Sequence, residues 1–297
     1  MLRRSLIVAV VALAAAGAAS SHRTAAAFPV TVHAANGDVT ITKRPTRVIS
    51  LSPTATEDLF ALGAGRQVIA VDEDSDYPKQ APRTKLSGFT PNAEAVAGYN
   101  PDLVVVSNDG GIVAQLQKLG IPVLLEPAAD TIAQAYDQIR QLGIATGQPG
   151  GATKVVRAMQ RKLTTLIRSV PKSRRHLRVF HELSPDFYSA TSATFIGRVY
   201  KLFGFSNIAD GADNTNTDYP QLSAEYVVSA DPQIVVLADS VCCGTTAANV
   251  AARPGWSELA AVKQHRVVAV DDSIASRWGP RLVTFAAAVA RVARASG

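Results

Sequence analysis

A chain of 297 residues, 47% hydrophobic and 18% charged, has the composition of a folded protein and not that of a disordered one. Its formal charge of +6 falls to +3 if a leader carrying Arg3, Arg4 and Arg23 is removed, leaving 27 basic residues against 24 acidic, and so weak a charge without a basic stripe excludes nucleic acid as a partner. Histidines scattered at 22, 33, 176, 181 and 265, with cysteines only at 242 and 243, exclude a zinc site and a bare divalent-metal binder.

Arg3 and Arg4 precede an apolar stretch from Leu6 to Ala19 that is short for a bilayer span, and small residues follow. This pattern is an export signal. Cleavage after Ala27 (Ala25-Ala26-Ala27) or after Ala18 fits the small-x-small rule, the former giving a signal peptide over 1–27; an uncleaved anchor is the alternative. No cysteine follows the apolar run, so a lipid anchor is not expected.

The remainder exceeds the usual single core, which argues for two lobes. In the first, Val48–Leu51, Val68–Val71, Leu103–Val106 and Val123–Leu125 read as strands, with helical pattern at Ala55–Leu62, Ile112–Lys118 and Thr131–Ile144. In the second, Val179–His181, Ile234–Leu237 and Val267–Val270 read as strands. Near-continuous apolar strands separated by helices indicate parallel sheets covered on both faces. Between them, Val155, Val156, Met159, Leu163, Leu166, Ile167 and Val170 recur at helical spacing up to Pro171, giving a helix of about 28 Å over 152–170. The expected fold is α/β: two doubly wound lobes, 28–150 and 172–297, joined by one rigid helix at 151–171, with a ligand cleft between them and modest opening.

The two halves also echo each other. Asn92-Ala93-Glu94-Ala95-Val96 and Pro101-Asp102-Leu103-Val104-Val105 return as Ser223-Ala224-Glu225-Tyr226-Val227 and Pro232-Gln233-Ile234-Val235-Val236, at an offset of 131, the difference between 224 and 93. Arg47-Val48 and Arg178-Val179 share that offset, and Gly63 after Leu59–Leu62 resembles Gly204 after Tyr200–Phe203. Each copy reads as a polar N-cap, a short helix carrying a glutamate, a proline-marked turn and a buried strand.

Cys242 and Cys243 are neighbours. Adjacent Cα atoms lie ~3.8 Å apart, below the usual disulfide range of roughly 4.4 to 6.8 Å, so a vicinal bridge, a local clamp on the Gly244 loop and free thiols all stay open. His181-Glu182 is not a His-Glu-x-x-His motif, and neither a Gly-x-Ser-x-Gly elbow nor a phosphate loop is present. A catalytic role, such as that of a secreted metal-dependent enzyme, is therefore the lesser alternative, and no catalytic residue is assigned.

The segments Arg47–Glu57, Asp76-Tyr77-Pro78, Asn92-Ala93-Glu94 and Asn100–Val105 resemble the N-terminal half of the solute-binding proteins of cobalamin, haem and ferric-siderophore ABC importers. Tyr188-Ser189-Ala190, Thr194–Gly197, Asn207-Ile208-Ala209, Leu222–Glu225 and Arg277–Arg281 resemble the C-terminal half. The resemblance implies an exported, monomeric protein without a cofactor of its own, which hands a bulky metal chelate to a membrane permease. It implies that Glu94 and Glu225 dock onto permease arginines, although a glutamate in a first helical turn also complements the helix dipole. It places Phe89, Ser107 and Asn108 on the N-lobe wall of the cleft and Tyr188, Tyr219, Arg277 and Trp278 on the C-lobe wall, with Arg277 expected to hold an anionic edge of the ligand. Aromatic positions of the best-known cobalamin binders hold Asp74, Gly88 and Ser107 here, while Tyr219 and Arg277 fit, so a corrinoid, a ferric siderophore and haem all stay open. For haem, Tyr188 is the candidate axial ligand, since His181 lies inside a strand.

Overall fold

The computed structural model describes residues 27–213 and 216–295; the leader expected at 1–27 lies outside them but for Ala27. An antiparallel hairpin, β1 (Val30–Ala34) and β2 (Gly37–Ile41), opens the fold. The N-lobe continues with β3 (Val48–Leu51), α1 (Pro53–Ala61), β4 (Val68–Asp72), β5 (Arg83–Leu86), α2 (Ala93–Ala97), β6 (Leu103–Val106), α3 (Ile112–Lys118), β7 (Val123–Leu125) and α4 (Ile132–Ala145). After α5 (Pro149–Ser169) the C-lobe carries β8 (Arg178–Glu182), α6 (Phe195–Phe203), β9 (Ser206–Asn207), α7 (Ala224–Ala230), β10 (Ile234–Leu237), α8 (Ser240–Cys243), α9 (Ala247–Ala251), α10 (Ala260–Lys263), β11 (Val267–Ala269), α11 (Asp272–Ser276) and α12 (Leu282–Arg294).

Both sheets are parallel, in the orders β5-β4-β3-β6-β7 and β11-β10-β8-β9. Without β5, the first order is β4-β3-β6-β7 and the second, reversed, is β9-β8-β10-β11. Register follows the echo too: Val48 lies opposite Leu103 and Val179 opposite Ile234, both pairs displaced by 131 residues. So do the caps. Asn92 Oδ1 accepts from the Ala95 amide and Ser223 Oγ from the Tyr226 amide, while Asn100 and Asp231 both turn with positive φ after those helices. Arg47 donates to the carbonyls of Tyr99 and Asn100, and Arg178 to those of Ala230 and Asp231. The repeated arginine is thus a clamp on a turn whose carbonyls the preceding helix leaves open, where a cation is favoured.

The linking helix begins at Pro149, two residues before the expected 151, and ends at Ser169. Pro149 stands at the first helical position, where a missing N–H costs nothing, and Val170, preceding Pro171, is extended. Its buried stripe of Ala152, Val156, Met159, Leu163 and Leu166 belongs to one apolar cluster that includes Leu59 and Leu142 of the N-lobe and Phe285 and Val289 of the C-lobe. A Cβ on Gly151 would lie against the Leu62 carbonyl, which is why the first turn of this helix carries glycine at that position. The helix therefore joins the lobes by burial as well as by covalent connection.

Candidate ligand-binding cleft

In open parallel sheets the loops after the strands' carboxyl ends form the ligand crevice. Here a pocket of about 350 Å³ lies between the loop after β4 and α11. Among the described residues its ionisable lining is Glu73, Asp74, Asp76 and Asp272 against Arg83 and Arg277. Both arginines are engaged: Arg83 donates to the Glu73 carbonyl at 2.6 Å, and Arg277 reaches Glu57 Oε1 at 3.0 Å, Asp76 Oδ1 at 2.8 Å and the Asp74 carbonyl at 3.0 Å.

Arg277 thus braces the lobes rather than presenting an empty guanidinium to the cleft. Arg281 adds a bidentate pair with Glu57, at 2.6 and 2.9 Å, and stacks over Tyr77 with its guanidinium carbon 4.3 Å from the ring centre. Trp278 donates from Nε1 to Gln138 Oε1 at 2.7 Å, again across the lobes. Gly279 lets the two sides approach, since a Cβ there would lie 3.2 Å from Asp58 Oδ1. The carboxylate of Glu57 is almost fully buried and the two arginines nearly so, an arrangement in which removing one partner is far costlier than the pair is stabilising.

Behind this brace the electrostatics reverse. Burial, reinforced by Glu57 and Glu126, pushes the Asp58 carboxyl well above its usual range, and burial raises Glu126 to about 8; Asp58 Oδ1 and Glu126 Oε1 have no hydrogen-bond partner. Glu126 is therefore mostly neutral near pH 7. At Asp76 burial works upward, but the hydrogen bond and charge of Arg277, aided by Arg281, outweigh it and hold the carboxyl below its ordinary value.

The remaining candidates sit on loops. Phe89, after β5, is 80% exposed, and Asn108 donates to its carbonyl, tying the loops after β5 and β6 together next to half-buried Ser107. Tyr188 and Tyr219 are 44% and 48% exposed, and their strands of chain are joined by a bridge from Tyr188 to Gln221 and by the Ser189 amide donating to Pro220. Burial, then Asp218, raises the Tyr219 phenol. Below Tyr188, Arg253 pairs with buried Glu182 through two bonds of 2.6 Å and lies over Phe187 and Trp256. His181 is internal: its Nδ1 meets the Tyr200 hydroxyl at 2.6 Å, and burial lowers it to about 3. Glu94 and Glu225 are exposed in the first turns of α2 and α7. Cys242 and Cys243 are joined as a vicinal disulfide at the end of α8. No group of three or more metal-ligating side chains occurs among the described residues.

Glu57, Asp58, Glu126, Gln138 and Arg281 were not among the residues expected at the site. Glu57 and Arg281 stand in motifs that were recognised, but their pairing spans 224 residues and no local pattern reports it.

Comparison with known proteins agrees with this fold. Residues 48–274 match the family model described as periplasmic binding protein. An uncharacterized ABC transporter substrate-binding lipoprotein of Bacillus subtilis, YvrC, is 34% identical over 94% of this chain and 92% of its own. A cobalamin-binding protein of Halobacterium salinarum is 34% identical over 87% of this chain and 72% of its own. The crystal structure of the periplasmic vitamin B12 binding protein BtuF of Vibrio cholerae superposes with a TM-score of 0.67 at 26% identity, covering 84% of this chain and 98% of that one. These relatives are binding proteins, and the chain belongs to the periplasmic binding protein family.

Proposed function

We propose that this protein is the solute-binding component of an ABC importer and that its cargo is a corrinoid. The importer role is supported by the family and by its relatives' roles. The observation that carries the choice of cargo is the carboxylate-rich pocket whose arginines are already committed to protein acceptors. Haem carries two propionates and ferric catecholates are anionic, so either would place negative charge against Glu73, Asp74, Asp76 and Asp272. A corrin rim carries neutral amides, whose N–H groups can donate to those carboxylates. The pocket takes one edge of so large a ligand, and the exposed rings of Phe89, Tyr188 and Tyr219 offer flat apolar surface for the rest. A relative that binds cobalamin supports the same reading. Haem is the second reading, favoured by the exposed phenols of Tyr188 and Tyr219.

The chelate is cargo, so no resident cofactor and no catalysis are required. Export to the outer side of the cytoplasmic membrane, action as a monomer, and docking of the permease by Glu94 and Glu225 complete the proposal. No helix among the described residues is long and apolar enough to cross a membrane. Calorimetric titration with cyanocobalamin, dicyanocobinamide, haemin and ferric enterobactin tests it: the corrinoids should bind at least tenfold more tightly than the anionic chelates, about 1.4 kcal/mol. Tighter binding of haemin or the ferric catecholate would refute the corrinoid assignment.

A further inference from the structure

One exposed segment of the C-lobe takes no part in the brace between the lobes. The turn Val241-Cys242-Cys243-Gly244 is exposed throughout, Val241 at 66%, although it is apolar. It is also rigidly anchored. Thr245, buried, donates to Asp239 Oδ2 at 2.7 Å, the Cys243 amide donates to the Asp239 carbonyl at 3.0 Å, and Ser240 Oγ donates to the Val270 carbonyl at 2.8 Å. Gly244 closes the turn in the left-handed region, and the box formed by Thr246 and Asn249 starts α9 directly afterwards. A loop that only had to connect β10 to α9 would gain by being polar, since exposed apolar surface forgoes the stabilisation that burial gives.

The internal repeat says where this turn points. Strand β10 occupies in the C-lobe the place of β6 in the N-lobe, so the segment after β10 is the counterpart of Ser107–Gly111, which neighbours the Phe89 loop. Where the N-lobe copy turns on Gly110 and Gly111, both with positive φ, the C-lobe copy has Val241 and Cys242. Helix α8 packs on α11, and α11 supplies Asp272, Ser273 and Ser276 to the pocket between the lobes. The apolar turn therefore sits on a helix packed against one that lines the cleft. Joining the two sulfurs removes both thiol donors and leaves a polarizable, weakly accepting surface.

We propose that the Val241–Gly244 turn, closed by the Cys242–Cys243 disulfide, is a ligand-contacting platform of the C-lobe against which the apolar part of the bound chelate packs. The proposal rests on the chelate-binding reading of the cleft. Reduction opens the platform: a trialkylphosphine attacks one sulfur, water hydrolyses the thiophosphonium, and the products are two thiols and the phosphine oxide.

The test uses the full exported protein and the same four chelates. The disulfide is reduced with a phosphine in the presence and absence of the member that binds best, and released thiols are trapped with iodoacetamide and counted by mass. With that member saturating, thiol release should slow about tenfold or more, because only the free protein is accessible to the reductant. Val241→Glu, at an exposed position that leaves the anchors intact, should weaken binding of that member at least about tenfold. Binding that leaves both the rate of thiol release and the V241E affinity unchanged overturns the platform and leaves the corrinoid assignment standing. Protection by haemin with no corrinoid binding overturns the assignment and leaves the platform. Failure of all four chelates to bind overturns both.

Discussion

Glu57 is the residue on which the joint between the lobes turns. It lies in the first helix of the N-lobe, its carboxylate is 1% exposed, and it accepts from both Arg277 and Arg281 of the C-lobe. The buried Glu126 carboxyl behind it makes a pH dependence that can be worked out. The Glu126 carboxyl, ordinarily near 4.5, titrates at about 8 in the fold, so between those values the folded protein keeps a proton that the unfolded chain has released. Stability therefore falls as pH rises through that window and levels off above it. Glu126→Gln retains the neutral form at every pH. It should match the parent in thermal unfolding near pH 4.5 and exceed it at pH 8.5 by a few degrees, at roughly 2 to 4 °C per kcal/mol for a protein of this size; equal midpoints at pH 8.5 would show that burial does not hold the proton. None of this was visible beforehand. Glu126 follows a short apolar run and looks like any polar residue ending a strand, yet it is buried and close enough to Asp58 of α1 to act on its charge, a proximity that no local pattern reports.

At the level of elements, the buried strands were readable because both faces are covered and the apolar run is unbroken, as in Ile234–Leu237. The hairpin β1–β2 and the short strands β5 and β9 were not. Arg83-Thr84-Lys85-Leu86 buries only its last residue, and Ser206-Asn207 pairs through two residues at a sheet edge, so neither carries a hydrophobic signature. The linking helix was legible in its period and only two residues off in its start. Its stiffness has a direct check. Arg161 and Lys162 are exposed on α5, and replacing both with glycine should remove about 1 kcal/mol of helix stability at each position without opening a cavity. In the parent, solution scattering should give radii of gyration within about 1 Å with and without cyanocobalamin. The double-glycine variant should contract measurably more on binding, and equal behaviour of the two proteins would show that the shared core and the Glu57 ion pairs, not the helix, limit the motion.

For the whole molecule, the internal repeat explains most of what was legible: two lobes, the same strand order, and equivalent caps and clamps at Asn92 and Ser223, Arg47 and Arg178. The cleft between the lobes is where the halves differ, and its pairings were the least legible in the sequence. Arg277, expected to meet the ligand, lines the pocket and is paired there with Glu57 and Asp76, an interaction between residues roughly two hundred positions apart that only folding creates. The same pairing leaves a pocket of carboxylates, the observation on which the proposed amide-rimmed cargo rests. The visible absorption spectrum and metal content of the protein purified from its native host test that claim most directly. A corrinoid spectrum with stoichiometric cobalt is the expected result, and a haem Soret band or bound iron would contradict it.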